Sequence, residues 1–446
     1  MTIHNNFALF SAAILASTLF FAACSDDSSS APEEKSSHEE ETSQEEHHGH
    51  HMEEPSAGDL TLGDEDIQDG FIFLQDTTIN GVLTVSTTTP GATVLKNVKV
   101  TGNLLIKRSG RVDFSGSADV VHVGSSNTDV YAFEDEAQVN GHHFMGKNNT
   151  FTTKSFAEYQ NVDWTEKSVD LATGIHLAYT VTGDEKGTPV VLIHGLTDGR
   201  VSWSQVAPSL AKKGYRVYVP EYRGNGKTDK PIDESSYSVA ELASDIAAFV
   251  EKLGLKKVHI VGHSLGAFIA QELSITNAEL VSSITLIGSG ASVDKKNATL
   301  DWLVNGTDDE SFDGIYAYDS TQKLPESFIQ AWGYSTNPDK DFQAANLEHL
   351  KQVPYYVWKY LVKNLLKIDN TKRLSSIATD VQIIWGTKDA LFDSESQKTL
   401  QKGLSKAKSV VFHEVEGADH NTHWGSAEDV KTVTGYIDEF IKSLKK

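Results

Sequence analysis

The chain has 446 residues, of which 39% are hydrophobic, and it carries a formal net charge of −23 at pH 7. This length exceeds that of one ordinary domain, so we expect two folded units with flanking segments. The strong negative charge argues against nucleic acid and against an anionic membrane surface as partners.

The first predicted element is a targeting segment, residues 1–23. Its apolar part, residues 7–23, contains no charged side chain and is too short for a comfortable membrane span, which is typical of a signal peptide. It ends in Phe21-Ala22-Ala23-Cys24, and Cys24 is the only cysteine of the chain, so no disulfide is expected. The segment resembles a bacterial lipoprotein signal, although it lacks an N-terminal Lys or Arg and has Phe21 where Leu or Val is usual.

The lipoprotein resemblance implies cleavage before Cys24, lipidation of its thiol, and a protein held on a membrane of the cell envelope. A plain secretory signal, giving a secreted or periplasmic protein, is the first alternative. A cytosolic protein with an apolar N-terminal helix is the second.

Residues 24–59 are predicted to form a disordered acidic tether. Between Asp26 and Asp59 the chain has twelve acidic residues, one lysine and almost no apolar side chain, so this segment has no means of building a core. The tract His47-His48-Gly49-His50-His51 could hold a transition metal only weakly, because imidazoles this close on a flexible chain do not enforce one geometry. We expect a solvated tract and no metal site.

Residues 60–164 are predicted to be a β-rich module. Short β-branched runs alternate with Gly, Asn and Asp, and the run 79–85 is echoed by the run 100–106, twenty-one residues later. Repeats of this length predict the rungs of a small parallel β-helix, with a compact β-sandwich as the alternative. No catalytic cluster occurs here, so we interpret the module as structural or adhesive, in contact with the cell wall or a polymer.

From residue 168 to residue 446 strands alternate with helices, which predicts an α/β fold with a doubly wound sheet. Apolar runs predict strands at 189–193, 215–219, 258–261, 283–287, 381–385 and 409–412. Amphipathic patterns predict helices at 239–253 and 427–444. Between about residues 290 and 377 aromatic-rich helical segments replace this pattern, and we expect them to form a helical lid.

The pentapeptide Gly262-His263-Ser264-Leu265-Gly266 lies between the predicted strand 258–261 and a predicted helix that begins at Ala267. This is the Gly-x-Ser-x-Gly nucleophile elbow in its strand–turn–helix context. The sharp turn would expose Ser264 and aim the Leu265 backbone N–H at a developing oxyanion.

With these motifs, residues 168–446 resemble the α/β-hydrolase superfamily, in its single-lid, esterase-like branch. The superfamily order is Ser, then an acid, then His. The resemblance therefore implies Ser264 as nucleophile, Asp389 just past the strand 381–385 as the acid, and His420 as the base. Two nearby acids are off the motif positions, Asp393 and Asp419. His423 is expected to line the pocket or to start the last helix.

The resemblance also implies the oxyanion hole. His194-Gly195-Leu196 follows the strand that in this family leads to it, so the Leu196 N–H is expected to join that of Leu265. The segment 221–228 resembles the family's Asp-x-Arg-Gly-x-Gly-x-Ser loop, with Glu221 and Thr228 in place of Asp and Ser, and these residues are expected to brace the loop. Asp245 is expected to be structural.

The expected function is hydrolysis of a small-molecule carboxylic ester through an acyl-enzyme, without cofactor or metal. Ser264 excludes the Asp-nucleophile chemistry of haloalkane dehalogenases and epoxide hydrolases. Carbon–carbon bond hydrolases and cofactor-free haloperoxidases share the Ser-Asp-His set and stay open as alternatives. A third alternative belongs to another class: a surface adhesion or binding lipoprotein with a vestigial hydrolase domain, against which the intact triad argues.

Overall fold

The computed structural model describes residues 50–51, 58–132, 137–153, 164–307, 312–318 and 324–445. The predicted signal segment, Cys24 and nearly all of the predicted tether lie outside the described residues. The tether prediction is wrong for His50 and His51, which form a short strand paired with the first sheet. The stretch from Gly49 to Lys446 forms one compact unit that contains two β-sheets. Within the described residues, every helix is too short or too polar to cross a membrane.

The first sheet consists of parallel strands only. Its strands are β1 (His50–His51), β2 (Leu60–Leu62), β3 (Ile72–Ile79), β4 (Leu83–Val85), β5 (Thr93–Val100), β6 (Leu104–Ile106), β7 (Gly110–Val123), β8 (Thr128–Tyr131), β9 (Ala137–Phe144) and β10 (Thr150–Thr152). The long strands β3 and β5 pair along one side, and the short strands β2, β4 and β6 pair along another. Strand β7 joins both ladders. The chain therefore winds as a parallel β-helix, and the β-sandwich alternative is wrong because sandwiches are built from antiparallel sheets.

The repeat of twenty-one residues is one turn of this β-helix. Ile79 pairs with Val100 in one ladder, and Leu83 pairs with Leu104 in the other. Successive turns stack their apolar side chains into a core of their own. At a corner, Asp76 and Asn97 both adopt positive φ, and Asn97 Nδ2 donates to Asp76 Oδ1 at 2.9 Å. Asn and Asp recur there because they tolerate this backbone conformation and hydrogen-bond to each other from turn to turn.

The second sheet has eight strands. They are β11 (Thr165–Asp170), β12 (His176–Thr182), β13 (Thr188–Ile193), β14 (Tyr215–Pro220), β15 (Val258–His263), β16 (Val281–Ile287), β17 (Asp380–Gly386) and β18 (Ser409–Val415), in the spatial order β11-β12-β14-β13-β15-β16-β17-β18. Strand β12 pairs antiparallel with both of its neighbours, β11 and β14, and the other neighbouring strands pair parallel. The sheet starts at Thr165, slightly before the expected residue 168.

Helices cover both faces of this sheet, which confirms the predicted doubly wound α/β fold. They are α1 (Val206–Ala211), α2 (Val239–Lys252), α3 (Leu265–Thr276), α4 (Ala298–Asn305), α5 (Glu326–Trp332), α6 (Lys340–Gln352), α7 (Tyr355–Leu365), α8 (Ser394–Gly403) and α9 (Ala427–Ser443). Helices α2 and α3 pack in one apolar core, and α1 and α9 pack in the core of the opposite face. The last four residues of β13, Val190 to Ile193, are all apolar because they are buried on both faces of the sheet.

Helices α4 to α7 lie between β16 and β17, where the lid was expected. Their aromatic side chains pack mainly on one another: the Phe312 and Phe328 ring centroids are 4.2 Å apart, and those of Phe328 and Trp358 are 5.3 Å apart. Phe328 and Trp358 are fully buried. Much of the aromatic character of the lid therefore serves packing in the core of the hydrolase domain.

A buried ion pair fixes the loop that follows β14. The Arg223 guanidinium donates from Nε to Asp245 Oδ2 at 2.6 Å and from Nη2 to Oδ1 at 2.7 Å. Asp245 lies on α2 and also accepts from Thr173 Oγ1. Both ionic side chains are almost inaccessible to water, whereas Glu241, 3.5 Å from the same guanidinium, is half exposed. Asp245 is thus the structural residue that the sequence predicted.

Asp245→Ala should lower the free energy of unfolding by about 3–5 kcal/mol, because it leaves the buried Arg223 charge without its partner. Glu241→Ala, on the same helix and near the same arginine, is the matched control and should cost less than about 1 kcal/mol, since its charge is solvated. Urea denaturation followed by circular dichroism measures both. Equal losses for the two variants would show that the buried pair does not stabilise the loop.

Candidate active site

The strand–turn–helix at Ser264 is held by close backbone contacts. Ser264 lies between β15 and α3 with φ 51° and ψ −117°, a conformation that L-residues rarely adopt. A Cβ atom on Gly262 would collide with the backbone of Gly266, and one on Gly266 would collide with the carbonyl oxygens of Ile193 and His194. Both glycines are therefore required for α3 to approach the strands this closely.

The end of β16 lies against both the elbow and His420. Ser264 N donates to Ile287 O at 2.9 Å. The next residue, Gly288, has φ 53°, and a Cβ there would lie 3.0 Å from His420 Nδ1. Ser264 and His420 are thus neighbours of the same strand end. Among the described residues, Ser264 Oγ makes no hydrogen bond to His420; in structures without substrate such bonds are often long and tighten only on binding.

A partly exposed His420 is hydrogen-bonded to the buried carboxylate of Asp389. They lie in the loops after β17 and β18, and His420 Nδ1 donates to Asp389 Oδ2 at 3.0 Å. The other carboxylate oxygen, Asp389 Oδ1, accepts from the backbone N–H groups of Leu391 and Phe392 at 2.8 and 3.0 Å. Three donors therefore fix the carboxylate, which orients the imidazole and leaves Nε2 as the nitrogen able to accept a proton.

The two rival acids are engaged elsewhere. Asp393 Oδ1 accepts from Ser396 N at the start of α8, which makes it a helix N-cap. Asp419 Oδ1 accepts from Asn421 N in its own loop. Of the three acids considered, Asp389 is the one hydrogen-bonded to His420.

The pKa of His420 is set by two opposed effects. Burial lowers it, because the charged imidazolium loses hydration. The charge and hydrogen bond of Asp389, together with the charges of Asp419 and Asp198, raise it by more, so the pKa of His420 lies above its ordinary value of 6.5. The imidazole is therefore neutral, and able to accept a proton, only above this raised pKa.

One predicted oxyanion donor belongs to the elbow and the other belongs to the loop after β13. Leu265 is the first residue of α3, so its N–H has no acceptor within the helix and lies at the positive end of the helix dipole. Leu196 is buried in the loop after β13. That loop is fixed by the Gly195 carbonyl, which accepts from Tyr222 Oη at 2.6 Å and from His194 Nδ1 at 3.0 Å. Burial lowers the pKa of His194 to about 4, so its ring is neutral.

Glu221 and Thr228 brace the neighbouring loop, as expected. Arg200 Nη1 lies 3.2 Å from Glu221 Oε2, and both side chains are buried. Burial raises the pKa of Glu221, but the charge and backbone N–H of Arg200, together with the nearby His349 and His194, outweigh it, and the net pKa is lowered. Thr228 Oγ1 donates to the Glu221 carbonyl and accepts from Ala178 N. The replacements of Asp and Ser therefore keep the bracing function.

A second histidine–aspartate pair, His263 and Asp198, lies next to His420, and the sequence did not predict this arrangement. His263 Nε2 donates to the His420 carbonyl at 3.1 Å, and His263 Nδ1 is 3.8 Å from Asp198 Oδ2, an ion-pair distance that is too long for a hydrogen bond. The only sequence signal for Asp198 was its position two residues past Leu196. Together His263 and Asp198 support the loop that carries His420.

His423 does not start the last helix, which begins at Ala427, and the expectation that it lines the pocket or starts this helix is wrong. It is fully buried, with its ring 4.3 Å from that of Trp203 and 4.2 Å from that of His263. Among the described residues its two ring nitrogens have no hydrogen-bond partner. Burial holds the pKa of His423 well below its ordinary value, so it packs as a neutral ring.

Comparison with known proteins identifies the family of this chain. The family model described as the α/β-hydrolase fold matches residues 188–427, more than half of the sequence. The chain belongs to the α/β-hydrolase family. It is a hydrolase of this family, preceded by a β-helix.

Two curated relatives are similar to this chain in sequence, and one solved structure is similar to it in fold. Epoxide hydrolase 1 of Caenorhabditis elegans is 26% identical over 322 residues, which cover 68% of this chain and 77% of the relative. The 2-hydroxy-6-oxononadienedioate/2-hydroxy-6-oxononatrienedioate hydrolase 1 of Pseudomonas putida is 28% identical over 292 residues, 61% of this chain and 93% of the relative. A putative aryl esterase from Burkholderia cenocepacia superposes with a TM-score of 0.51 at 20% identity, covering 63% of this chain and 99% of that structure.

Asp389→Asn should lower the pKa of His420, because the burial that opposes the charged ring remains while the carboxylate charge is removed. An NMR titration of the imidazole signals, assigned by comparison with His420→Gln, measures this shift. Asp419→Asn is the matched control and should lower the pKa less, because the Asp419 charge acts on His420 more weakly. An unchanged pKa in Asp389→Asn would show that this carboxylate does not control the imidazole.

Proposed function

We propose that the protein hydrolyses carboxylic esters through a Ser264–His420–Asp389 triad and an acyl-enzyme. The observation that carries the proposal is the hydrogen bond between His420 and the buried Asp389 carboxylate, beside a serine held at positive φ between β15 and α3. A serine hydroxyl is a weak nucleophile near neutral pH and needs an oriented imidazole to accept its proton. Ser264 would be this nucleophile, and His420, oriented by Asp389, would be this imidazole.

In the first half-reaction, Ser264 Oγ attacks the ester carbonyl carbon and transfers its proton to His420 Nε2. The resulting oxyanion accepts hydrogen bonds from the N–H groups of Leu196 and Leu265. As the tetrahedral intermediate collapses, the C–O bond to the alcohol breaks and the leaving oxygen takes the proton from His420. The acyl group then remains on Ser264.

In the second half-reaction, water attacks the acyl-enzyme and gives a proton to His420 Nε2. The bond between the acyl carbon and Ser264 Oγ breaks, the proton returns to Ser264, and the carboxylic acid is released. Each half-reaction begins with a neutral His420. Because the pKa of His420 is raised, turnover should decline as the pH falls through that pKa, and it should be largely independent of pH above it.

Hydrolysis of a carbon–carbon bond is the second candidate. It is favoured by the identity of 28% with the Pseudomonas putida hydrolase, 93% of which is covered. Epoxide opening is not proposed in spite of the Caenorhabditis elegans relative, because Ser264 stands where that chemistry uses Asp.

We also propose that lipid on Cys24 anchors the protein to a membrane of the cell envelope and that the acidic segment 24–59 acts as a tether. The apolar run 7–23 and the small residues before Cys24 support this proposal. Repulsion among the acidic residues would keep the tether extended.

Ser264→Ala should reduce kcat for a p-nitrophenyl ester by about 10⁴-fold, because only binding and the oxyanion donors remain. A fluorophosphonate probe should label the wild type at Ser264 and should not label the variant. Ser274→Ala, a buried serine on the same helix α3, is the matched control and should keep both activity and labelling. Near wild-type turnover by Ser264→Ala would refute the nucleophile.

A substrate panel separates the two candidate reactions. It contains p-nitrophenyl esters from acetate to long acyl chains, amide and lactone controls, and 2-hydroxy-6-oxononadienedioate. Preferred turnover of the esters supports the first candidate, and preferred turnover of the dienedioate supports the second. Absence of both labelling and turnover would favour a binding protein with an inactive hydrolase domain.

Cys24→Ala should move the protein from the membrane fraction to a soluble or unprocessed pool, because the thiol that accepts the lipid is lost. Cell fractionation and N-terminal sequencing measure the change. A wild-type protein found in the soluble fraction, with a mature N-terminus other than Cys24, would replace the anchor with a plain secretory signal.

A further inference from the structure

The β-helix is joined to the lid of the hydrolase domain by contacts between folded residues. A polar contact with the lid is made by Arg111 on β7. Its Nη2 donates to the backbone carbonyl of Gln352 at 2.9 Å, and Gln352 is the last residue of lid helix α6. The final carbonyls of a helix have no partner within the helix and lie at the negative end of its dipole. The guanidinium therefore caps α6 from outside the domain.

Neighbouring side chains hold the Arg111 guanidinium in place. Nη2 and Nε donate to the two carboxylate oxygens of Asp113 at 2.7 and 2.9 Å, and the guanidinium carbon lies 4.0 Å from the centroid of the Tyr131 ring. The side chain is only 14% exposed. An arginine fixed by a bidentate ion pair and an aromatic face is already ordered, so its contact with α6 loses little side-chain entropy.

An apolar contact lies beside this cap. The Phe71 ring packs edge-on against Tyr356 on α7, with centroids 5.1 Å apart. Phe71 and Ala92 belong to the apolar core of the hydrolase domain, whereas most of the β-helix has a separate core. Tyr356 Oη in turn donates to the Lys230 carbonyl. The turn between α6 and α7 is thus held between the β-helix and the hydrolase domain.

The same helix α6 reaches the loop of the proposed oxyanion hole. His349 lies one turn before Gln352, is buried, and its Nδ1 is 4.0 Å from Glu221 Oε1. A Cβ atom on Gly199 would collide with the His349 ring. Gly199 follows Leu196 by three residues in the loop after β13. The position of α6 therefore determines how the His349 ring packs against this loop.

There is room for α6 and α7 to shift if the cap is lost. A cavity of about 210 Å³ lies between the β-helix and the lid. Its lining includes Arg111 and Tyr131 on one side and Ile329, Leu350 and Tyr355 on the other.

We propose that Arg111 is a positioning residue that holds α6 and the start of α7 over the active site, so that the β-helix sets which acyl groups the hydrolase domain accepts. This inference rests on the proposed ester hydrolysis for its effect on selectivity. The contact itself is independent of that function.

The test compares two substitutions of Arg111 with a control in the same module. Arg111→Met keeps the apolar stem and removes the charge. Arg111→Lys keeps the charge and loses the planar fork, so its effect should be intermediate. Lys99→Met is the matched control, because Lys99 lies on the adjacent strand β5 and is exposed.

The first measurement is hydrogen exchange and needs no activity. In folded Arg111→Met, the backbone amides of residues 350–353, at the end of α6, and 355–357, at the start of α7, should exchange about tenfold faster than in the wild type, because a charge-assisted hydrogen bond that holds the turn between these helices is lost. In Lys99→Met they should be unchanged. Unchanged exchange in both Arg111 variants would overturn the proposal, even if either variant melts at a lower temperature.

The second measurement is the ratio of kcat/KM for a long-chain p-nitrophenyl ester to that for the acetate. We expect this ratio to fall about tenfold in Arg111→Met, mainly through KM, and to fall less in Arg111→Lys, because the acetyl group is too small to depend on the lid. An equal loss for all esters would indicate a merely structural role and would overturn the proposal. If the fluorophosphonate probe does not label the wild type, the proposed function fails, and hydrogen exchange still decides whether Arg111 holds α6.

Discussion

The close approach of α3 to the strands at the centre of the sheet is the constraint on which the rest of the site depends. Gly262 and Gly266 let the helix start against β15 and against the end of β13, where a side chain on either would meet backbone atoms. This contact places Ser264 at a strained turn and brings the Leu265 amide near the loop of Leu196. The parallel sheet then brings the loops after β17 and β18 to the same edge, as parallel strands do in doubly wound folds.

Buried charges around this edge are stabilised in pairs. Asp389 accepts three hydrogen bonds, Glu221 lies beside Arg200, and Asp245 lies beside Arg223. An unpaired charge at any of these positions would carry a large desolvation penalty, so each pair also fixes the loop on which it lies. His194 and His423 avoid this desolvation penalty in another way, because burial lowers their pKa and each ring is neutral.

The sequences of the β-helix and the hydrolase domain have different periodicities, yet the two parts are in direct contact. The β-helix repeats about every twenty-one residues and stacks its own core, and its Phe71 and Ala92 extend into the core of the second sheet. Lys96 on the β-helix forms an ion pair with Asp229 at 2.7 Å, in the segment after the Glu221–Thr228 loop. The two sheets thus form one compact unit in which the module touches the lid and a loop near the site.

The sequence by itself determined the features that depend on local or periodic constraints. Buried parallel strands appear in the sequence as apolar runs, and the β-helix repeats its corner residues once per turn. The elbow needs glycine at fixed positions. The fold class and the candidate residues Ser264, Asp389 and His420 could therefore be predicted. Their catalytic roles stay predictions. Only the tertiary structure decided which of the three acids contacts His420, that His423 is buried among aromatic rings, and that Arg111 reaches the end of α6. These contacts join segments that are distant in the chain, and their partners depend on how strands, loops and the lid pack together, which no local pattern encodes.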